Sequence, residues 1–374
     1  MTPVARPANL TRMKAAVLQG VGQPLSIEEV QIDLPGPHEV LIRTAAVGVC
    51  HSDLHFLQGS YPCELPTVLG HEAAGIVERV GAEVTRVKPG DHVITCLSAF
   101  CGHCEYCLTG RMSLCSGSPT RRRRGMKPRL ARPSGEPIHQ FLNLSAFAEQ
   151  MLVHEHACTA IRPDMPLDRA ALIGCAVTTG IGAVIHTAHV RAGETVAVIG
   201  CGGIGLAAIQ GAVLTGAARI IAIDRVASKL ELARSFGATD VIDASAGDIV
   251  AAVRQLVPRG VHYSFEAVGT KRTAEAAFGM LRSGGTATVI GLIPVGTKIE
   301  VEGSELLEEK RLQGSSMGSN RFPVDMPRYA DFYLQGRLKL DPMISARVRL
   351  DQVNDAFTEL QRGELARSVI VFEV

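Results

Sequence analysis

The sequence has no tryptophan, and its aromatic residues amount to only 4% of 374 positions. An interior of that size, built with so few large rings, has to rest on valine, isoleucine, leucine and alanine. Neither sign of charge is in excess, since 38 Lys and Arg stand against 37 Asp and Glu, for a formal net charge of +1. That balance removes the electrostatic reason to expect nucleic acid or a membrane surface as a partner. No basic stretch followed by an apolar core opens the chain, so no secretory leader is expected, and Met1 to Arg12 reads as a polar lead-in. Thr195 to Gly216 carries no charge and is about long enough to span a bilayer. Gly200, Gly202, Gly203 and Gly205 interrupt it, however, and it is read as a buried strand, turn and helix.

What is present begins with length. A chain of 374 residues exceeds one ordinary core, so two domains are expected. From Met13 to about Glu155 the sequence alternates β-branched residues with turns, as in Lys14–Leu18, Glu39–Val47, Ala74–Val80 and His92–Leu97. From about Thr178 the rhythm changes to apolar strands separated by helices. Strands are expected at Thr195–Gly200, Arg219–Asp224, Asp240–Ile242, Tyr263–Ala267, Thr286–Gly291 and Arg311–Ser315. Helices are expected at Gly203–Thr215, Ala227–Phe236, Ile249–Leu256 and Thr273–Leu281, with Gly237 and Gly284 as stops. Alternation of this kind implies a doubly wound α/β domain with a parallel sheet. The tail from about Asn320 ends on the strand-like Ser368–Phe372 and is expected to rejoin the first domain.

Gly200-Cys201-Gly202-Gly203-Ile204-Gly205 fits the dinucleotide fingerprint and directly follows an apolar strand. Its glycines allow the tight turn, the approach of backbone to a pyrophosphate, and close packing of helix on strand. Asp224 ends the next strand roughly twenty residues later, where a carboxylate binds the adenosine ribose. That carboxylate would repel the 2′-phosphate of NADP and favours NAD, a preference that the neighbouring Arg225 softens.

The chain has ten cysteines, and four of them, Cys101, Cys104, Cys107 and Cys115, fall within fifteen residues. Without a secretory signal, such spacing favours thiolate metal ligands over disulfides and a cytoplasmic setting. Four thiolates close a tetrahedral shell, which describes a structural zinc, although an iron–sulfur cluster uses the same ligands. Cys50-His51-Ser52-Asp53-Leu54-His55 and Gly70-His71-Glu72 are also dense in ligand-type side chains, and Cys175 is a further candidate. Two cysteines and one histidine would leave a zinc with the open position a Lewis acid needs. Each of these residues taken singly has a structural reading as well, Cys175 as a small buried apolar group and His71 as a hydrogen-bonded core histidine.

Taken in order, Gly48-Val49-Cys50-His51-Ser52-Asp53, Gly70-His71-Glu72, the four-cysteine loop, Gly174-Cys175, the glycine fingerprint and Asp224 resemble the zinc-dependent medium-chain alcohol dehydrogenases. The similarity runs from about Met13 to Val374. It implies a Rossmann doubly wound sheet inserted into a β-rich GroES-like catalytic domain, with divisions at 1–178, 179–319 and 320–374. The implied activity interconverts primary aliphatic or aromatic alcohols and aldehydes with NAD, using two zinc ions per chain. By the resemblance, Cys50, His71 and Cys175 hold the catalytic zinc, Asp53 orients the ligand imidazole, and Glu72 lies behind the metal. Ser52 would accept the alcohol proton and pass it, through the nicotinamide ribose, to His55. His51 and Arg367 match positions that bind the pyrophosphate, Lys229 one near the adenosine ribose, and Thr179 one near the nicotinamide. Val268, Gly291 and Leu292 complete the expected cofactor contacts beside Gly200, Gly202, Gly203, Ile204, Gly205 and Asp224. The substrate pocket would include Leu97, Phe141, Leu142, Leu292 and Met317.

Two alternatives accompany this reading. Glutathione-dependent formaldehyde dehydrogenases are close relatives of the family, but they carry acidic residues after the first ligand motif and a Tyr at the relay position. Here Gly59-Ser60-Tyr61-Pro62-Cys63 and His55 stand instead, which favours an ordinary alcohol dehydrogenase. A non-catalytic nucleotide-binding redox sensor is the alternative of a different class. Ser116 to Gln140 resembles the longer loop of dimeric members, so a homodimer is expected, with a tetramer as the other option. Arg121–Arg124, in that loop, reads as a solvated face.

Overall fold

The computed structural model describes residues 11–117, 120, 126–363 and 367–373; Arg121–Arg124 and Met1–Leu10 lie outside the described residues. The N-terminal part is built on two β-structures. Strands Thr11–Leu18, Ser26–Ile32, Leu130–Ala131, Pro137–Gln140 and Thr67–Val68 close into a small barrel. Glu39–Gly48 is the hub of a seven-stranded sheet, pairing antiparallel with Glu72–Val80, Gln150–His154 and the C-terminal Ser368–Val371. Val40, Leu41, Ile42, Ala46 and Val47 are almost fully buried, and Val40, Leu41, Ile42 and Val47 share an aliphatic core with the rings of Phe141, Phe147 and Phe357. The last pairing returns the tail to the first sheet.

Six parallel strands form the second sheet, in the spatial order 240–243, 219–224, 195–199, 261–266, 281–289 and 311–314. The order reverses between strands Thr195–Ile199 and Val261–Glu266, the switch point at which such folds bind dinucleotides. Arg219–Asp224 and Ile249–Leu256 have the bounds expected from the sequence. Helix Lys271–Gly279 starts two residues earlier than expected, because the Thr270 side chain accepts the Thr273 N–H at 3.2 Å. It also stops earlier. Met280 caps it, and Gly284, expected to end the helix, sits at φ +76° within strand Leu281–Val289. That strand ends at Val289 because the N–H groups of Ile290 and Gly291 turn to the Glu266 carbonyl.

The uncharged run Thr195–Gly216 is the strand Thr195–Ile199, a turn and the buried helix Gly203–Leu214. A different segment has the length and apolarity of a membrane span: helix Leu167–Thr187, whose most apolar window is 83% buried inside the protein. It is a core helix, and the expected boundary at 178 falls within it. Two π-turns, Ile173–Val177 and Ala183–Thr187, interrupt it, and Cys175 sits in the first. Glycines allow this helix to meet helix Gly203–Leu214 backbone to backbone: a Cβ on Gly180 would lie 2.3 Å from the Ile204 carbonyl oxygen.

Candidate active site

Strand Glu39–Gly48 runs into helix His51–Leu57 through Cys50, its N-cap. This junction places Cys50 beside His71, which follows the short barrel strand Thr67–Val68, and beside Cys175 in the π-turn. The two sulfurs and one imidazole nitrogen lie within 4.8 Å of one another, and all three residues are buried. Asp53, fully buried, accepts from the backbone N–H groups of Cys50 at 3.3 Å and Gly70 at 3.2 Å, and lies 2.9 Å from His71 Nδ1. A carboxylate there fixes the proton on Nδ1, so the Nε2 lone pair faces Cys175 Sγ, 3.3 Å away. The Cys50 thiol is drawn well below its usual pKa, by Cys175 first and by Arg367 and His71, against the cost of burial.

Glu72 is fully buried, and neither of its carboxylate oxygens has a hydrogen-bond partner. Burial raises its pKa to about 8, although Arg367 opposes the rise. The Arg367 Nε, also without a hydrogen-bond partner, approaches Glu72 only to 3.6 Å. Two sulfurs, one imidazole and an unsatisfied carboxylate behind them suit a divalent zinc, whose charge would compensate what these side chains leave unpaired.

The residues of the expected proton path occupy one helix. Ser52 and His55, half-buried, are three positions apart on His51–Leu57 and therefore share a face. Burial lowers the His55 pKa, so the ring is neutral near pH 7 and able to accept a proton. Leu97, Phe141 and Leu142 meet in one apolar cluster with Phe56. The Phe141 ring stands edge-on to Phe56 at 4.7 Å and to His71 at 6.1 Å. Leu142, Asn143 and Ser145 all have positive φ, and the Phe141 N–H donates to the Ser145 hydroxyl at 2.8 Å across this turn. Leu142 also lines a polar cavity of about 240 Å³ with Glu64, Lys127, His139 and Gln140. Met317 comes from the other side and touches the Thr179 hydroxyl at 3.6 Å, while Leu292 is exposed on the loop after strand Leu281–Val289.

The fingerprint fits a dinucleotide at the level of single atoms. A Cβ on Gly205 would lie 1.7 Å from the Gly200 carbonyl oxygen, and one on Gly203 would meet the Arg367 guanidinium at 2.5 Å. Around Gly202 there is open space, and no side chain caps the helix that begins after it. The free N–H groups of that first turn therefore face room for a phosphate. Asp224 accepts the Cys201 and Val226 N–H groups at 2.7 and 3.0 Å, which holds it at the end of its strand. His51 keeps one edge exposed. Loss of solvation takes its pKa down to about 4, and the charges of Arg367 and Lys229 push the same way, placing three basic side chains about this cleft. Val268 and Gly291 lie where the loops after two neighbouring strands cross, since a Cβ on Gly291 would strike the Gly269 nitrogen at 2.2 Å and one on Gly200 would strike Val268 at 2.7 Å.

Glu266, at the end of strand Val261–Glu266, has no place among the residues expected from the sequence. It is fully buried, and its Oε1 accepts from the N–H groups of Val268 and Gly269 and from the Thr273 hydroxyl, which ties that crossing together. Its position at the C-terminal end of a central parallel strand was the available signal.

The four-cysteine loop gathers its sulfurs locally. Cys104 Sγ lies 3.5 Å from Cys107 Sγ and 3.8 Å from Cys115 Sγ, and all four sulfurs are within 4.8 Å. Backbone N–H groups of Cys101, Cys104 and Gly117 point at sulfur. Those of Cys107 and Ser116 bring the Cys104 thiol down to about 5. Such a shell suits a fully ligated zinc.

Fold and sites together define a zinc-binding oxidoreductase with a dinucleotide domain. The family model described as alcohol dehydrogenase GroES-like domain matches residues 36–163, and that described as zinc-binding dehydrogenase matches residues 203–333. The chain belongs to the zinc-dependent medium-chain alcohol dehydrogenase family. It is 39% identical over 367 residues to S-(hydroxymethyl)glutathione dehydrogenase of Saccharomyces cerevisiae, covering 95% of each chain. It resembles the crystal structure of benzyl alcohol dehydrogenase from Acinetobacter calcoaceticus with a TM-score of 0.91 and 31% identity, over 97% of this chain and 100% of that one. A zinc-binding dehydrogenase from Sinorhizobium meliloti, solved bound to NADP, gives a TM-score of 0.82 and 32% identity, over 97% of this chain and all of that one.

Proposed function

We propose that the protein oxidises a primary carbinol with NAD, and that this carbinol is the hydroxymethyl adduct of formaldehyde with a small thiol. The buried Cys50, His71 and Cys175 set carries the reaction class, because three ligands leave room for one hydroxyl. The similarity to the yeast enzyme across 95% of both chains supports the adduct, reversing the preference for simple alcohols drawn from the missing acidic residues. The polar cavity beside Leu142, with Glu64, Lys127 and His139 in its wall, would suit the polar remainder of such a thiol. Asp224 supports NAD as the cofactor. A second reading, oxidation of apolar or aryl alcohols, is favoured by the rings of Phe56 and Phe141 and by the likeness to benzyl alcohol dehydrogenase.

Zinc held by Cys50, His71 and Cys175 would supply Lewis acidity that acidifies the bound hydroxyl, and the nicotinamide would supply the hydride acceptor. Asp53 keeps the His71 ring in the tautomer that ligates. Ser52 takes the hydroxyl proton, and His55, neutral and on the same helix face, releases it to solvent. Met317 and Thr179 bound the far side, while Phe141 and Leu97 exclude water. We also propose that residues 1–178 and 320–374 form the catalytic domain around a cofactor domain of 179–319. Strand Arg311–Gly314, at the sheet edge, and exposed Leu306 and Leu307 nearby support a homodimer, which light scattering would test.

The deciding assay measures zinc per chain and NADH formation with formaldehyde plus glutathione or another small thiol, against hexanol and benzyl alcohol alone. Turnover that requires thiol establishes the adduct, and thiol-independent turnover with benzyl alcohol establishes the second reading. Ser52→Ala should slow hydride transfer by about 10²–10⁴-fold with little change in NAD affinity. An unchanged stopped-flow rate would remove Ser52 from the proton path.

A further inference from the structure

Tyr61 belongs to the loop after helix His51–Leu57, yet its phenol O–H donates to the Ile293 carbonyl, on the loop after cofactor-sheet strand Leu281–Val289. Its position is built from both ends. The Ser60 N–H donates to the His55 carbonyl at 2.9 Å, and the Gly22 N–H to the Leu57 carbonyl at 2.7 Å. Gly59, at φ +78°, presses so closely on Val21 that a Cβ would lie 2.5 Å from its methyl. The Tyr61 ring then meets Phe56 at 5.7 Å and the edge of His55 at 6.3 Å. Phe56 meets Phe141, and Phe141 meets His71. A continuous line of rings thus runs outward from the ligand cluster and ends on a hydrogen bond that crosses the cleft.

The far side of that bond is lightly held. Ile290 and Gly291 donate to Glu266, and Thr297 donates to Pro294 at 3.2 Å. Between them Leu292 and Val295 are exposed, and Gly296 takes φ +87°. A segment with so few anchors opens readily, and one hydrogen bond changes its opening equilibrium measurably.

We propose that Tyr61 is a cleft latch: its hydroxyl fastens the 290–297 loop over the cofactor cleft and sets how long the nucleotide stays bound. Tyr61 is a positioning residue, acting through the loop rather than on the reacting atoms. The inference rests on reading this cleft as the nucleotide site, but the latch itself can be tested without nucleotide. Tyr61→Phe keeps the ring contacts and removes only the hydroxyl. In the zinc-loaded, nucleotide-free protein, hydrogen exchange at Ile290, Gly291 and Thr297 should accelerate about fivefold, with core strands unchanged. NADH dissociation, followed by stopped-flow fluorescence, should accelerate by a similar factor. Exchange across 290–297 equal to that of the unsubstituted protein would overturn the latch, as would faster exchange with an unaltered NADH dissociation rate. Failure of the nucleotide reading shows separately, as an unsubstituted protein that does not bind NADH, and the proposal falls with it.

Discussion

Cys101, Cys104, Cys107 and Cys115 come from one short loop, whereas Cys50, His71 and Cys175 come from a strand–helix junction, a barrel exit and a π-turn of a core helix. In the first set Cys107 and Cys115 are buried, Cys101 and Cys104 are partly buried, and backbone N–H groups pointing at sulfur steady them. The second is buried and steadied by one side chain, Asp53, with Glu72 unsatisfied behind it. A local shell can be saturated by its own loop and leaves nothing for chemistry. A shell assembled from distant elements is held by the whole fold, and can therefore stop at three ligands and keep a fourth position free.

Removing one ligand from each set should separate the two sites most clearly. Cys175→Ala should cost at least about 10³ in kcat, since a Lewis acid contributes several kcal/mol to the barrier. Zinc content should fall by one per chain with the fold intact by circular dichroism. Cys107→Ser should also cost one zinc, but its main effect should be a melting temperature several degrees lower, because metal binding there is folding free energy. Activity should largely persist at low temperature, with a rise in KM. The rise is expected because the turn Met112–Leu114 packs against Met317–Ser319, and Met317 touches Thr179. Equal losses of kcat in the two variants would erase the distinction between the sites.

Asp53→Asn sharpens the contrast in what lies behind each metal. An amide in place of the carboxylate weakens the hold on the His71 Nδ1 proton, and loss of such a partner costs about 10–100-fold in metal affinity or activity. Zinc titration against a competing chelator should show that loss at one site only. The four-cysteine loop has no equivalent weak point, since its sulfurs are approached by main-chain donors that substitution does not remove.

The same contrast separates what the sequence discloses from what it hides. Spacing alone exposes the four-cysteine loop, because its ligands are neighbours in the chain. The fingerprint is legible for the same reason: Gly200 to Gly205 and the strand before them form one local unit, and strand Arg219–Asp224 and helix Ile249–Leu256 follow from local periodicity. No spacing relates positions 50, 71 and 175; their side-chain chemistry made them candidates, and the resemblance joined them into one site. Glu266 and Tyr61 escaped both routes. Glu266 bonds the loop that follows it where two loops cross, and Tyr61 bonds a carbonyl 232 positions away. The early start of helix Lys271–Gly279 and the displaced role of Gly284 are smaller failures of one kind, a cap and a strand pairing outvoting a glycine signal.

The smallest expected effect tests whether the four-cysteine loop is self-contained. Gly110, between Cys107 and Cys115, sits at φ +78°, and a Cβ built on it meets nothing within 4 Å. Gly110→Ala therefore adds no clash, only the cost of a left-handed backbone, roughly 1–2 kcal/mol for an L side chain. If the sulfurs depend on this turn, that cost should appear as about five- to thirtyfold faster release of one zinc to a chelator. The kcat should stay unchanged, because no ligand of the three-residue set lies in this loop. A changed kcat with unchanged zinc release would show that the loop acts through Met317 on the cleft and does not stand alone.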